Sequence, residues 1–355
     1  MATKSKNVVG LDIDPSGITA VTVSAKGSLR VEQAASAELE PGIMRDGEVA
    51  DAEALSAALQ GLWRAHRGLA KNVRVGVANQ KIVVRVVELP PLRDRDELAA
   101  AVRFHAEQHI PMPIDTTVVD FQALDVVETP EGPRQRVVVV AARRDMIERL
   151  LLAVRGAGLR PEGIDLSAFA MVRALAAPDT SAVMGEDAEP AEQVLYLSIG
   201  GLTNLAVAQG TTCLFTRAST GGLELLVTEL AERRRLTLEH ARAWLTHVGL
   251  NHPVEDVEGE RDIVLEARSV LAVGVRRIAA DVRNTLDFHR GQGASGAVQR
   301  AVLTGPAASI PGFASALEGE LDLPVTVGVL AETTPELDAG RLTVAAGLAV
   351  AEAPR

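Results

Sequence analysis

The chain has 355 residues, 47% hydrophobic and 23% charged, a balance that predicts about two globular domains or one large bilobed unit. Aromatics contribute only 3%, so the core must be built from Val, Leu, Ile and Ala. With 36 basic and 47 acidic side chains the net charge is −11, which repels phosphate backbones and argues against non-specific nucleic-acid binding.

Residues 1–7 carry Lys4 and Lys6 with no apolar stretch behind them, and Asp12 and Asp14 break the run that follows, so no signal peptide is expected. No apolar run approaches the 18 or so residues that cross a bilayer. A cytosolic protein is expected, tied to a membrane only through a partner. Residues 7–13 and 18–24 read as β-branched strands joined by the turn Asp14-Pro15-Ser16-Gly17. Residues 51–66 carry Leu55, Leu59 and Leu62 at helical spacing. Strands are predicted over 73–78 and 83–89, a helix over 94–109, strands over 118–126 and 136–142, and a helix over 144–157. A Pro161–Gly163 turn, a short strand and a helix over 167–176 close the first half.

Residues 179–191, rich in Asp, Glu, Pro and Ala, read as a linker or exposed excursion. Strands are then expected over 193–199, 205–209 and 298–303. Helices are expected over 222–234, 238–247, 263–290, 310–321 and 342–351. This alternation predicts an α/β architecture. The chain also starts twice. Gly10-Leu11-Asp12-Ile13-Asp14 and Leu197-Ser198-Ile199-Gly200-Gly201 both read as strand, tight turn, strand, at an offset of 198 − 12 = 186 residues. Two related subdomains or a coincidence of common hairpins would each produce this pattern.

Turns of small residues bring backbone N–H groups against an anion. The candidates are Asp12, Asp14, Ser16 and Gly17 in the first hairpin, and Ser198, Gly200, Gly201, Thr203 and Asn204 in the second. Gly221 and Gly222 precede a helix whose N-terminus suits an anion, and Gly305-Pro306 ends a strand where a base or sugar could lie. Other motifs carry less. Gly291-Gln292-Gly293-Ala294-Ser295-Gly296 spells G-x-G-x-x-G but follows a helix and precedes a strand, the inverse of the dinucleotide context. His105 and His109 lack a third ligand by spacing, Arg233-Arg234-Arg235 reads as a solvated helix face, and Cys213 reads as a small core residue that fits a reducing compartment.

The order of loops along the chain resembles the actin-like ATPase superfamily. The stretch VRVVELPPLRDRDELAAAVRFHAEQHIPMPIDTTVVDF over 84–121 is similar to the type IV pilus assembly protein PilM family, relatives of the division protein FtsA. LTGPAASIPGFASALEGELDLPVTV over 303–327 and Gly163-Ile164-Asp165 with the helix behind it carry the same resemblance. It implies a bilobed actin-like (ribonuclease H-like) α/β fold. Residues 1–74, 151–180 and 340–355 would form the first subdomain, 75–150 an insertion of the FtsA/PilM type, 190–225 and 298–339 the second subdomain, and 226–297 its helical part. It implies a cytoplasmic scaffold of a pilus-like machine, with ATP and Mg²⁺ as cofactors. Its partners would be the cytoplasmic N-terminal peptide of an inner-membrane PilN-like protein, other machine components and further copies of itself. Phe104, Ile110, Pro111 and Pro113 are the residues expected to bind the partner.

The sequence departs from the family at the nucleotide. The family's first loop reads D-[IL]-G-[ST], but Asp14 places a carboxylate where phosphate oxygens would sit, a repulsion of about 1–4 kcal/mol at roughly 4 Å. Pro15 removes an N–H donor. Ser198 replaces the Asp that orients a metal's waters, Pro306 replaces a Gly, and Leu245 aligns with the Lys usually offered to the ribose. These departures count against hydrolysis and leave open binding without turnover. The alternatives are an active ATPase of the same machinery and a small-molecule kinase with Asp165 as base.

Overall fold

The computed structural model describes residues 8–24, 29–110, 112–130, 132–176, 192–291, 296–328, 330 and 339–350. Strands β1 (Val9–Asp14) and β2 (Gly17–Ser24) form the first hairpin, and β3 (Arg30–Glu38) pairs antiparallel with β2. A two-stranded ribbon, β4 (Met44–Arg45) with β5 (Glu48–Val49), precedes helix α1 (Ala52–Ala65). Asp51 caps α1 by accepting the N–H groups of Glu53 and Ala54, and Leu55, Leu59 and Leu62 form its buried face. β6 (Asn72–Val77) then runs parallel to β1.

The chain next builds β7 (Val83–Leu89), α2 (Arg95–His109), β8 (Thr117–Thr129) and β9 (Gly132–Arg143), an antiparallel sheet in the order β7-β9-β8. Leu98, Val102 and Ala106 of α2 pack with Ile110 on Val137, Val139 and Ala141 of this sheet. Helix α3 (Arg144–Gly156), strand β10 (Arg160–Leu166) and helix α4 (Ser167–Leu175) return to the first lobe, where β10 lies parallel to β6. The second lobe comprises β11 (Gln193–Ile199), β12 (Thr203–Gln209), β13 (Thr212–Ser219), α5 (Leu223–Arg234), α6 (Leu238–Val248), α7 (Arg261–Gly291), β14 (Val298–Thr304), α8 (Phe313–Leu321) and β15 (Val325–Val327). Helix α9 (Ala339–Ala349) closes the described chain.

The two large sheets have one topology. The orders β3-β2-β1-β6-β10 and β13-β12-β11-β14-β15 each place three antiparallel strands beside two parallel ones. Asp12 and Ser198 therefore occupy the first strand of related subdomains. Helices α4 and α9 lie between the sheets. Met171 and Val172 of α4 and Val344 and Leu348 of α9 share a core cluster with Val194, Tyr196 and Ala206 of the second sheet. Leu342, Ala345 and Ala346 of α9 pack on Val21 and Val31 of the first.

Several expectations shift. Residues 30–38 and 212–219 are strands that sequence reasoning left unassigned. The predicted turn Pro161–Gly163 lies inside β10 as a bulge against β6. The helix expected from 310 starts at Phe313, because Gly312 at φ +77° breaks the run. The excursion expected over 179–191 lies outside the described residues.

Candidate functional site

The two hairpin turns meet across the cleft between the lobes. Asp14 and Gly17 are register partners, with Pro15 and Ser16 at the tip. The Asp14 carboxylate folds back over that tip. Its Oδ1 accepts the Ser16 N–H at 2.7 Å, the Ser16 hydroxyl at 2.5 Å and the Gly17 N–H at 3.1 Å. Its Oδ2 accepts the Gly201 N–H of the opposite hairpin at 2.9 Å. The sequence places Asp14 among the candidate anion-binding residues and also marks its carboxylate as a repulsive charge. The structure shows it satisfying N–H donors that would otherwise be offered to an anion.

Both second-hairpin glycines are needed for this contact. A Cβ on Gly200 would stand 2.7 Å from Asp14 Oδ2, and one on Gly201 would stand 2.7 Å from the Ser16 nitrogen. Gly305, at φ +84°, brings its backbone against Ile199, where a Cβ would be 2.8 Å from the Ile199 nitrogen. Asp12, Asp14, Ser16 and Gly17 face Ser198, Gly305 and Pro306 around a cavity of about 20 Å³. That volume admits roughly one water. Three backbone N–H groups of the two turns are bonded to Asp14 in this arrangement.

Burial pushes the Asp12 carboxyl up to about 7, with the Asp14 charge adding to the rise and a hydrogen bond from the Ser167 hydroxyl at 3.3 Å opposing it. Arg341, which sequence reasoning missed, also lines the cavity. Its signal was available, since it is the one charged residue in the α9 sequence AGRLTVAAGLA.

Other expected residues lie elsewhere. Thr203 is buried and its hydroxyl donates to the Gly221 carbonyl at 2.9 Å, while the Gly221 N–H donates to the Ser219 hydroxyl at 3.3 Å. A Cβ on Gly222 would stand 2.5 Å from the Gly200 carbonyl oxygen, and the Leu223 N–H donates to that oxygen at 2.7 Å. The start of α5 therefore packs on the hairpin. Asn204 faces a separate cavity with Asn79 and Arg217. Leu245 is buried in the second-lobe core, and the α6 side chain that reaches the cleft is Arg242, bonded to Glu38 at 2.6 Å and Glu224 at 2.9 Å. Asp165 is held by Arg173 and by the Leu166 N–H. A kinase base would have to break that ion pair.

On the inserted sheet, Phe104 is 65% exposed on α2. Ile110 is 8% exposed within the core, so its side chain is withdrawn from the surface. Pro113 is exposed, and its carbonyl accepts the Thr117 hydroxyl at 2.8 Å. Pro111 lies outside the described residues, as do positions 292–295 of the glycine-rich motif. Among the described residues no group of three or more His, Cys, Asp or Glu could hold a metal. Arg233 pairs with Glu229 and Glu266, and Arg234 with Asp262. Cys213 is half-buried against the core between the sheets, and burial pushes its thiol up to about 12, as suits an inert thiol. No described helix is long and apolar enough to cross a membrane.

A family model described as type IV pilus assembly protein PilM matches residues 10–349. The chain is similar to a solved structure titled as the PilM-PilN type IV pilus biogenesis complex, at 27% identity and TM-score 0.75, covering 97% of both chains. It also shares the fold of the ethanolamine utilization protein EutJ from Carboxydothermus hydrogenoformans, at 16% identity and TM-score 0.54, covering 98% of this chain and 91% of that one. The architecture is the actin-like bilobed α/β fold.

Proposed function

The chain belongs to the type IV pilus assembly protein PilM family, and from that membership we propose that it is a scaffold holding the cytoplasmic N-terminal peptide of an inner-membrane PilN-like protein. The observation that carries this reading is the full-length similarity to a PilM-PilN complex. An exposed Phe104 on α2 supplies an apolar contact for such a peptide. Presented from a helix, it costs little further ordering on binding. The partner would bring the protein to the inner face of the membrane. Other machine components and self-association belong to the same proposal.

The reading includes a nucleotide site that no longer turns over ATP. Asp14 is already satisfied within the protein, Ser198 supplies no charge for Mg²⁺, and Pro306 and Pro15 offer no N–H. Calorimetry with Mg-ATP is expected to give little or no binding heat. Asp14→Gly combined with Ser198→Asp is expected to strengthen binding. Tight, Mg²⁺-dependent binding by the unaltered chain would overturn this part.

The partner site is tested with a fluorescent peptide copied from the N-terminus of the PilN-like protein. Phe104→Ser should weaken binding about tenfold with an unchanged melt, the loss of one buried aromatic contact. Ile110→Asp should instead lower the melting temperature, because it places a charge in the core around Val102 and Val139. Unchanged affinity in Phe104→Ser would remove that residue from the site.

A further inference from the structure

The donors that read as a phosphate cradle come from both lobes, and the anion they hold is part of the chain. We infer that Asp14 is an interlobe latch: its carboxylate binds the Gly201 N–H across the cleft and keeps the two lobes closed in the absence of any nucleotide. This stands independently of the peptide-binding proposal.

Three observations carry it. The Asp14 carboxylate divides its oxygens, Oδ1 serving its own turn and Oδ2 serving the opposite hairpin. The second is the depth of the contact. A Cβ on Gly201 would stand 2.7 Å from the Ser16 nitrogen and 2.9 Å from Pro15 Cδ, so the hairpin backbones touch and separating them breaks this bond. The third is a flanking pair that joins the same lobes. Arg242 of α6 binds Glu38 at 2.6 Å, and Glu38 is the register partner of Gly17. Arg242 is itself steadied by Glu224, and its side chain is only 17% exposed. A hydrogen bond to a carboxylate is among the stronger neutral-to-charged contacts. A tethered carboxylate also meets its donors without the entropy cost of capturing a free ligand. A side chain of the protein itself thus joins the two hairpins.

The alternative is that Asp14 only shapes its own turn, and the two atoms of one amide separate these roles. In Asp14→Asn the amide oxygen can still accept from Ser16 and Gly17, but the NH₂ group then confronts the Gly201 N–H and cannot accept from it. Spin labels on the full chain at the exposed positions Glu53 of α1 and Glu239 of α6 report the lobe separation by pulsed electron resonance. The parent is expected to show one short distance, unchanged by added Mg-ATP or inorganic phosphate. Asp14→Asn and Asp14→Gly should both raise the population at longer distance about tenfold. If Asp14→Gly does not fold, Asp14→Asn decides the matter alone. A closed Asp14→Asn, with or without an open Asp14→Gly, assigns the residue to its turn and overturns the latch. A parent that closes only when Mg-ATP or phosphate is added overturns it as well.

Discussion

Asp12 and Asp14 stand two residues apart on β1, and their surroundings treat them oppositely. Asp14 is wrapped in donors from two turns, whereas the described partner of Asp12 is one hydroxyl, from Ser167 at 3.3 Å. Burial leaves Asp12 with its carboxyl raised to about 7. A carboxyl held above its ordinary range is favoured in the neutral form. Its contribution to stability is complete at low pH and is lost as pH climbs through about 7. Asp12→Asn cannot ionise, so the variant should gain stability relative to the parent as pH is raised from about 4 to 8. The slope should reach at most about 1.4 kcal/mol per pH unit. Urea unfolding across that range measures the difference, and two parallel curves would refute the assignment. The sequence marks both residues as site candidates, but it cannot distinguish their roles. The donor that satisfies Asp14 is Gly201, 187 residues further on, and only the folded lobes bring it near.

At the scale of elements, legibility follows the density of local signals. β1 and β2 carry runs of buried β-branched residues, and α1 and α2 begin at Asp51 and Asp94, each accepting two backbone N–H groups. These elements are readable from sequence. β3 is not. Its sequence RVEQAASAE buries only Val31 and Ala35, and a bulge against β2 at Thr22 and Val23 disturbs the alternation. Pairing with β2 makes it a strand. The helix α9 is readable over most of its length, but its small residues do not announce how closely they pack. A Cβ on Gly347 would stand 1.9 Å from the Ala170 carbonyl oxygen of α4, and one on Gly10 would stand 1.8 Å from that of Ala345. Since backbone cannot yield as a flexible side chain can, Gly347→Ala is expected to cost about 3 kcal/mol in chemical denaturation. A loss under about 0.5 kcal/mol would mean that α4 and α9 are less closely packed than the structure shows.

For the whole molecule, the doubled sheet order explains why the hairpin motif appears twice in the sequence, but the halves are unlike in their connectivity. The second-lobe cluster draws all its buried residues from 195–321. The first lobe has a cluster of its own over 9–166, but one face of its sheet is covered by α9. Leu342, Ala345 and Ala346 of that helix pack on Val21 and Val31, while its Val344 and Leu348 meet Val194 and Tyr196 of the second sheet. Deleting 339–350 should therefore collapse hydrogen-exchange protection in β1 and β2 and lower it less in β11, β12 and β14, whose other face keeps its own core over 195–321. Uniform loss in both lobes would show that they fold as a single unit. The arrangement also has a consequence in time. From the end of β2 at Ser24 to the start of α9 at Ala339 is 339 − 24 = 315 residues. At about 5–20 residues per second, a ribosome needs roughly 15 to 60 s to make that span. For most of that interval the earliest strands wait without their covering helix. The strands synthesised first are thus covered only by the last helix described, and they are the stretch of nascent chain on which a chaperone would have to act.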